Sequence, residues 1–312
     1  MAQFQLNILG CGSAKPTPRH NPTCQVLDFR DNLFMIDCGE GSQTMFVRMG
    51  LKYTRLNHIF ISHLHGDHCF GLPGLLSTLG LQGKGGTLTV HTFKDGAEMF
   101  GKMCEYFCRD MSYEVKFNVI EYGSDVIYED DALKVTTIPL KHRVPTVGFL
   151  FEEKEKLRHI NRFAIDKYNV PICYMNILKA GGDYIAADGS VTIPNEVLTT
   201  PPDKSLKYAY CSDTMPASKI IPVIEGADWL YHEATYGNEF VKSAKQRFHS
   251  TAHQAAEVAV ASHAGNLVIG HYSSRYKDEN ILLNEAREVF SRTVLADEGL
   301  RIDMTKGFEE VK

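Results

Sequence analysis

Apolar and polar positions alternate in short runs along most of the chain, and the period switches repeatedly between two residues and about 3.6. Phe4-Gly10 reads as a strand and is followed by a Gly/Pro loop from Gly12 to Pro22. Cys24-Phe29 and Leu33-Asp37 read as a hairpin, and Ser42-Met49 as a helix. Asn57-Ser62 is a short apolar strand that stops at a run of histidines. Gly71-Leu81 is apolar at helical spacing, Thr87-His91 reads as a strand, and Asp95-Cys108 as an amphipathic helix. Strands then dominate from Tyr113 to Phe151 and return at Leu206-Ser212, Trp229-His232 and Leu267-Gly270. Thr251-Ser262 and Glu279-Ser291 have helical character. The alternation predicts an α/β fold with helices covering sheets.

Glu152-Lys204 breaks this rhythm. It is polar, of mixed charge, and carries Gly181-Gly182, Asp188-Gly189 and Pro201-Pro202. It reads as an inserted arm within one 1-312 domain, not as a core layer.

Composition changes the picture only in places. The chain has 312 residues, 44% hydrophobic and 23% charged, with a formal net charge of -5. A general nucleic-acid coater is normally basic, so an RNA substrate has to meet a local positive patch. The 8 cysteines include no Cys-x-x-Cys pair, and Cys104 and Cys108 are the closest two. Free, mostly buried thiols fit a chain of this size better than a disulfide framework. The residues from Met1 to Asn7 lack a basic segment before a long apolar run, and no stretch is long enough to span a bilayer. The expectation is a cytoplasmic protein with no membrane partner and no DNA partner.

The run His63-Leu64-His65-Gly66-Asp67-His68 packs three histidines and an aspartate into six residues. Zinc prefers imidazole nitrogens and carboxylate oxygens, and Gly66 lets the backbone turn so that ligands point inward. A solvated polar loop is the bland alternative. One loop cannot close two metal sites. His142, Asp213 and His271 each follow an apolar strand, as the His63 run does. Side chains at strand ends converge on the rim of a sheet, which is a rigid platform for a site. Any one of them could be merely hydrogen-bonded; together they supply the missing ligands.

The pattern His-x-His-x-Asp-His after a strand resembles the metallo-β-lactamase fold. The neighbourhood narrows this further. Asp37-Cys38-Gly39-Glu40-Gly41, Phe70-Gly71-Leu72-Pro73-Gly74, Cys211-Ser212-Asp213-Thr214, His232-Glu233-Ala234-Thr235 and His249-Ser250-Thr251 resemble ribonuclease Z in order and spacing. The likeness covers nearly the whole chain. It implies a four-layer αββα sandwich with an inserted flexible arm. It also implies a homodimeric endoribonuclease that removes the 3′ trailer from precursor tRNA and leaves a 3′-hydroxyl.

By the same resemblance His63, His65 and His142 hold one zinc, Asp67, His68 and His271 hold the second, and Asp213 bridges them. The two ions acidify a water and neutralise charge on the phosphate. Asp67 accepts the proton of the attacking water. His249 protonates the leaving oxygen, with Glu233 orienting it. Taken alone, His249 reads as a surface residue beside a helix that Ser250 and Thr251 can cap. His253 reads as structural. His58, His91, His159 and His263 read as surface or hydrogen-bonded residues.

Lys15 and Arg19 lie in a loop that resembles the one approaching RNA in that family, and could contact phosphates; a stiff surface loop is the alternative. The family arm carries a Gly-Pro-rich knuckle, where this chain has Asn169-Val170-Pro171-Ile172-Cys173-Tyr174. Lys154, Lys156, Arg158, Arg162, Lys167 and Lys179 could supply positive charge there. Two competing functions remain: a small-molecule phosphodiesterase on the same fold, and an RNA-binding protein with structural zinc. Structural sites are normally closed by four protein ligands, which disfavours the second. Manganese is an alternative to zinc for this donor set.

Overall fold

The computed structural model describes residues 4–109, 111–187 and 189–306. Met1-Gln3 of the N-terminal reading and Asp188 of the expected Asp188-Gly189 turn lie outside them. The described chain forms two units.

The larger unit, Met1–Glu129, Val135–Phe151 and Lys207–Lys312, is built on two seven-stranded sheets. The strands of the first are β1 (Phe4–Gly10), β2 (Cys24–Phe29), β3 (Asn32–Ile36), β4 (Leu56–Phe60), β5 (Thr87–Thr92) and β6 (Glu114–Val119). Those of the second are β7 (Val126–Glu129), β8 (Leu133–Pro139), β9 (Val147–Glu153), β10 (Lys207–Cys211), β11 (Trp229–Glu233), β12 (Asn266–Gly270) and β13 (Thr293–Leu295). β14 (Arg301–Asp303) returns to the edge of the first sheet, so the orders are β14-β1-β2-β3-β4-β5-β6 and β13-β12-β11-β10-β9-β8-β7.

The hairpin β2–β3 is antiparallel, as the alternation predicts. From β3 to β6 and from β10 to β13 neighbouring strands are parallel. Parallel neighbours need crossover connections, and helices supply them. Ser42–Arg48, Leu72–Leu81 and Lys94–Phe107 serve the first sheet; Ala252–Ala261 and Asn280–Val289 serve the second. β10, β11 and β12 are buried almost throughout, as strands covered on both faces are.

The period of two decides which way each side chain goes. Cys24 and Val26, Leu33 and Met35, and Ile59 and Ile61 join the apolar cluster formed with Leu72, Leu75, Leu76 and Phe100 of the covering helices. Their neighbours Phe34 and Phe60 point the other way. Phe60 meets Phe149 and Phe151 of the second sheet, each at 5.4 Å between ring centres. This gives the helix–sheet–sheet–helix layering of the α/β sandwich. Gln25, buried between the sheets, accepts a hydrogen bond from the hydroxyl of Tyr208.

The smaller unit comprises Asp130–Lys134 and Glu152–Leu206. It adds no layer to the sandwich sheets, and Ala164, Ile165, Val170, Leu178, Ile193 and Leu198 form a small core of its own. These residues are too widely spaced in sequence to give a periodic signal. Helix Arg162–Lys167 is capped by the side chain of Asn161, and Asn195 Nδ2 donates to the carbonyls of Leu178 and Gly182. Phe163 and Ile172 remain exposed.

All 8 cysteines are free. Among the described residues no helix is long and apolar enough to cross a membrane.

Candidate active site

Three strands of the larger unit end in the same unusual way. Asp37 after β3, Asp213 after β10 and His271 after β12 all adopt left-handed backbone, with φ of 55°, 54° and 60°. Residues other than glycine rarely do so, and such strain gathers at functional sites. The bend aims each side chain inward, across the C-terminal rim of the parallel strands. The His63 run leaves β4 at the same rim, and Gly66–Cys69 makes one helical turn that buries His68.

The rim gathers seven donor side chains. His63 Nε2 lies 3.0 Å from His65 Nδ1, and His142 Nε2 lies 3.3 Å from that same His65 atom. Asp213 Oδ2 is 3.6 Å from both His63 Nε2 and His142 Nε2. Its other oxygen, Oδ1, is 3.0 Å from both His68 Nε2 and His271 Nε2. Asp67 Oδ2 completes that side, 3.7 Å from His68 Nε2 and 3.5 Å from His271 Nε2. Donors about 2.0–2.1 Å from a tetrahedral zinc are about 3.3 Å apart, so both groups fit a metal of that size.

Four of the five rings, those of His63, His68, His142 and His271, are oriented by a fixed partner on the other nitrogen, as metal-ligating histidines usually are. Ser62 Oγ is 3.0 Å from His63 Nδ1, and Asp37 Oδ2 is 2.7 Å from His68 Nδ1. His142 Nδ1 meets the Phe248 carbonyl at 3.0 Å, and His271 Nδ1 meets Thr235 Oγ1 at 2.9 Å. The backbone N–H of Ala14 donates to Asp67 Oδ2 at 2.7 Å.

The charges agree with this arrangement. Burial opposes ionisation of Asp213, but His271, His68 and His63 outweigh it and hold the carboxyl well below the usual range. Burial likewise opposes ionisation of Asp67, which His68 and His271 hold low. Burial lowers His63, His65 and His142, which keeps them neutral as ligands must be. His271 is pushed up to about 10: burial works against its charge, and Asp213 prevails. A cation on that side would displace the proton.

Beside the donors lies a second pair. His249 Nδ1 is 2.8 Å from Glu233 Oε1, and Glu233 is fully buried at the end of β11. Glu233 also accepts from the Thr214 N–H at 2.7 Å, the Ser250 N–H at 3.2 Å and the Thr235 hydroxyl at 2.5 Å. Burial opposes the charge on His249, but Glu233 outweighs it and raises its pKa. Thr251 starts the following helix with a full capping box with Gln254, so His249 stands on a rigid support.

His65, Asp67, His142, Asp213, His249 and His271 line a cleft of about 610 Å³. Lys15 lines it. Arg19 does not; its guanidinium is paired with Glu279 and donates to the Tyr276 carbonyl. Arg143, Arg247 and Arg275 line the cleft and were not singled out from sequence. The first two flank predicted site histidines, the one signal that could have found them. His91 is buried and stacks on Phe60, while His263 is exposed beside Glu225.

The chain is 51% identical to ribonuclease Z of Parabacteroides distasonis over 97% of this chain and 100% of that one. It is 52% identical to ribonuclease Z of Porphyromonas gingivalis ATCC 33277 over the same shares. The solved structure of human tRNase Z, short form, superposes with a TM-score of 0.69 at 23% identity, over 96% of this chain and 99% of that one. A family profile described as "Anti-Pycsar protein Apyc1" matches residues 4–156. This chain belongs to the ribonuclease Z family of metallo-β-lactamase-fold endonucleases.

Proposed function

We propose that the chain cleaves the 3′ trailer from precursor tRNA by hydrolysis at a pair of zinc ions. The observation that carries this is the Asp213 carboxylate, with one oxygen turned to His63 and His142 and the other to His68 and His271. Such a carboxylate suits a bridge. His63, His65 and His142 would hold one ion, and Asp67, His68 and His271 the other. When bound, the pair supplies an acidified water as nucleophile and positive charge for the phosphate oxygens.

The remaining work falls to the chain's own groups. Asp67 stays ionised and is pinned by the Ala14 N–H, so its carboxylate can take the proton of the attacking water. His249, kept charged by Glu233, gives a proton to the departing 3′ oxygen. Lys15, Arg143, Arg247 and Arg275 offer cations to phosphates in the cleft, which answers the net charge of -5 with a local patch. Arg19 is a positioning residue here, since Glu279 holds it.

The smaller unit acts as the arm that holds the tRNA body. Arg158, Arg162 and Lys179 surround a hollow of about 470 Å³ within it, where phosphates can be bound. We also take the working enzyme to be a homodimer. Assays of one preparation on a 3′-extended precursor tRNA and on a small phosphodiester separate this function from a small-molecule phosphodiesterase. The tRNA function requires a much higher kcat/KM on the precursor; the reverse order overturns it.

A further inference from the structure

The larger unit holds a second cluster of metal-type donors, which the proposed chemistry does not use. Cys11, at the end of β1, and His20, in the following loop, meet Asp297 and Glu298 near the C-terminal end of the described chain. We propose that Cys11, His20, Asp297 and Glu298 form a third, structural site for a thiophilic divalent cation such as zinc, which fastens the Gly12–Pro22 loop to the Asp297-Glu298 turn.

Three donor atoms already form one face of such a site. Cys11 Sγ is 3.3 Å from His20 Nδ1 and 3.6 Å from Glu298 Oε2, and His20 Nδ1 is 2.8 Å from Glu298 Oε2. Zinc bonds of about 2.3 Å to sulfur and 2.0–2.2 Å to nitrogen or oxygen place tetrahedral donors about 3.3–3.6 Å apart. The shortest edge needs to open by about half an ångström. Asp297 offers the fourth donor within the same cluster.

The outer contacts repeat the construction of the catalytic cluster. His20 Nε2 faces Glu279 Oε1 at 3.3 Å, so the ring has a carboxylate behind it and its other nitrogen aimed at the site. Arg19 in turn pairs with Glu279. Glu298 Oε1 accepts from the Asn21 N–H at 2.8 Å and the Cys11 N–H at 3.4 Å, which leaves Oε2 directed inward. A soft thiolate beside imidazole and carboxylates selects zinc over magnesium or calcium.

The charge balance points the same way. Glu279, Asp297 and Glu298 face one histidine and one arginine around a buried thiol. A divalent cation would offset this excess of carboxylates. On binding, the thiol proton and any proton on His20 Nδ1 pass to solvent.

The same loop carries Lys15 and the Ala14 N–H that pins Asp67. The cation would therefore stiffen the wall of the cleft from outside. No catalytic step depends on it.

The test is cobalt(II) substitution of the full chain. None of the seven catalytic donors is sulfur, so only a site with cysteine gives thiolate-to-cobalt charge transfer in the near ultraviolet. The wild-type chain should show this band and bind one cobalt beyond the catalytic pair. Cys11→Ser should lose both, while Cys104→Ser, which breaks the Cys104-Cys108 pair, keeps both. Glu298→Gln provides a second variant and should weaken binding of that extra ion at least tenfold. A wild-type chain without the band, or a band that survives Cys11→Ser, overturns the proposal and leaves the cluster as a hydrogen-bonded brace.

Discussion

Asp37 Oδ2 stands 2.7 Å from His68 Nδ1, with both side chains fully buried between the two sheets. The same carboxylate accepts from the Ser62 N–H at 2.8 Å, the Ser62 hydroxyl at 2.9 Å and the Tyr210 hydroxyl at 2.6 Å. It joins β3, the His63 run and β10 at one point, and fixes which nitrogen of His68 faces the other donors. Asp37→Asn keeps the shape but removes the charge that would make the ring a strong ligand. It should weaken metal binding about 10- to 100-fold, read by chelator competition. Unchanged affinity would show that Asp37 matters for folding alone.

Tyr210→Phe probes the same node from the second sheet. It leaves a buried carboxylate oxygen without one of its donors, at a cost of about 1–3 kcal/mol. Denaturant unfolding of the metal-free chain measures it. A change below a few tenths of a kcal/mol would mean that water or another donor replaces the phenol.

The pair Glu233–His249 predicts a pH dependence. The raised pKa of His249 keeps the proton-donating form populated until pH rises through that pKa, so it contributes the alkaline limb of the kcat profile. Glu233→Gln removes the charge that raises it, and the alkaline limb should move to lower pH. His249→Ala should lower kcat about 100- to 10,000-fold. A limb that stays in place in Glu233→Gln would assign the proton donor elsewhere.

Thr251 closes the capping box of helix Ala252–Ala261, two residues after His249. Thr251→Ala should cost about 1 kcal/mol of stability, measured by denaturant midpoint at constant slope. An unchanged midpoint would show that the helix is held by its packing alone.

In the smaller unit, Lys179→Glu should raise KM for precursor tRNA and reduce the salt dependence of binding by about one phosphate contact. Hydrolysis of a small phosphodiester should not change. Equal loss on both substrates would mean the substitution damages the fold and not an RNA contact.

The donors were legible because apolar strands with a period of two point at their own ends. His63, His142, Asp213 and His271 each follow such a strand; parallel pairing brings the ends before His63, Asp213 and His271 to one rim, and His142 meets them there. The left-handed backbone at Asp37, Asp213 and His271 was not legible, because no glycine or asparagine marks it. Pairings across long separations were also hidden. Arg19 looked free for RNA, yet it is held by Glu279, 260 residues away. The core of the smaller unit gives no signal in the sequence, because its apolar residues follow neither period. Gln25 and Tyr208, 183 apart, show the same limit within the sandwich: a polar residue in a strand reads as solvent-facing until its buried partner is known.

Metal-assisted cleavage of precursor tRNA with Asp67 as proton acceptor can be tested in one assay. The most direct measurement incubates metal-loaded wild-type chain and Asp67→Ala with a 3′-extended precursor tRNA and maps the product ends. The expected result is a single cut just past the discriminator base by the wild type, with a 3′-hydroxyl on the tRNA, and loss of that cut in a folded Asp67→Ala chain. An intact precursor after incubation with folded, metal-loaded wild type, or full cleavage by Asp67→Ala, would contradict it.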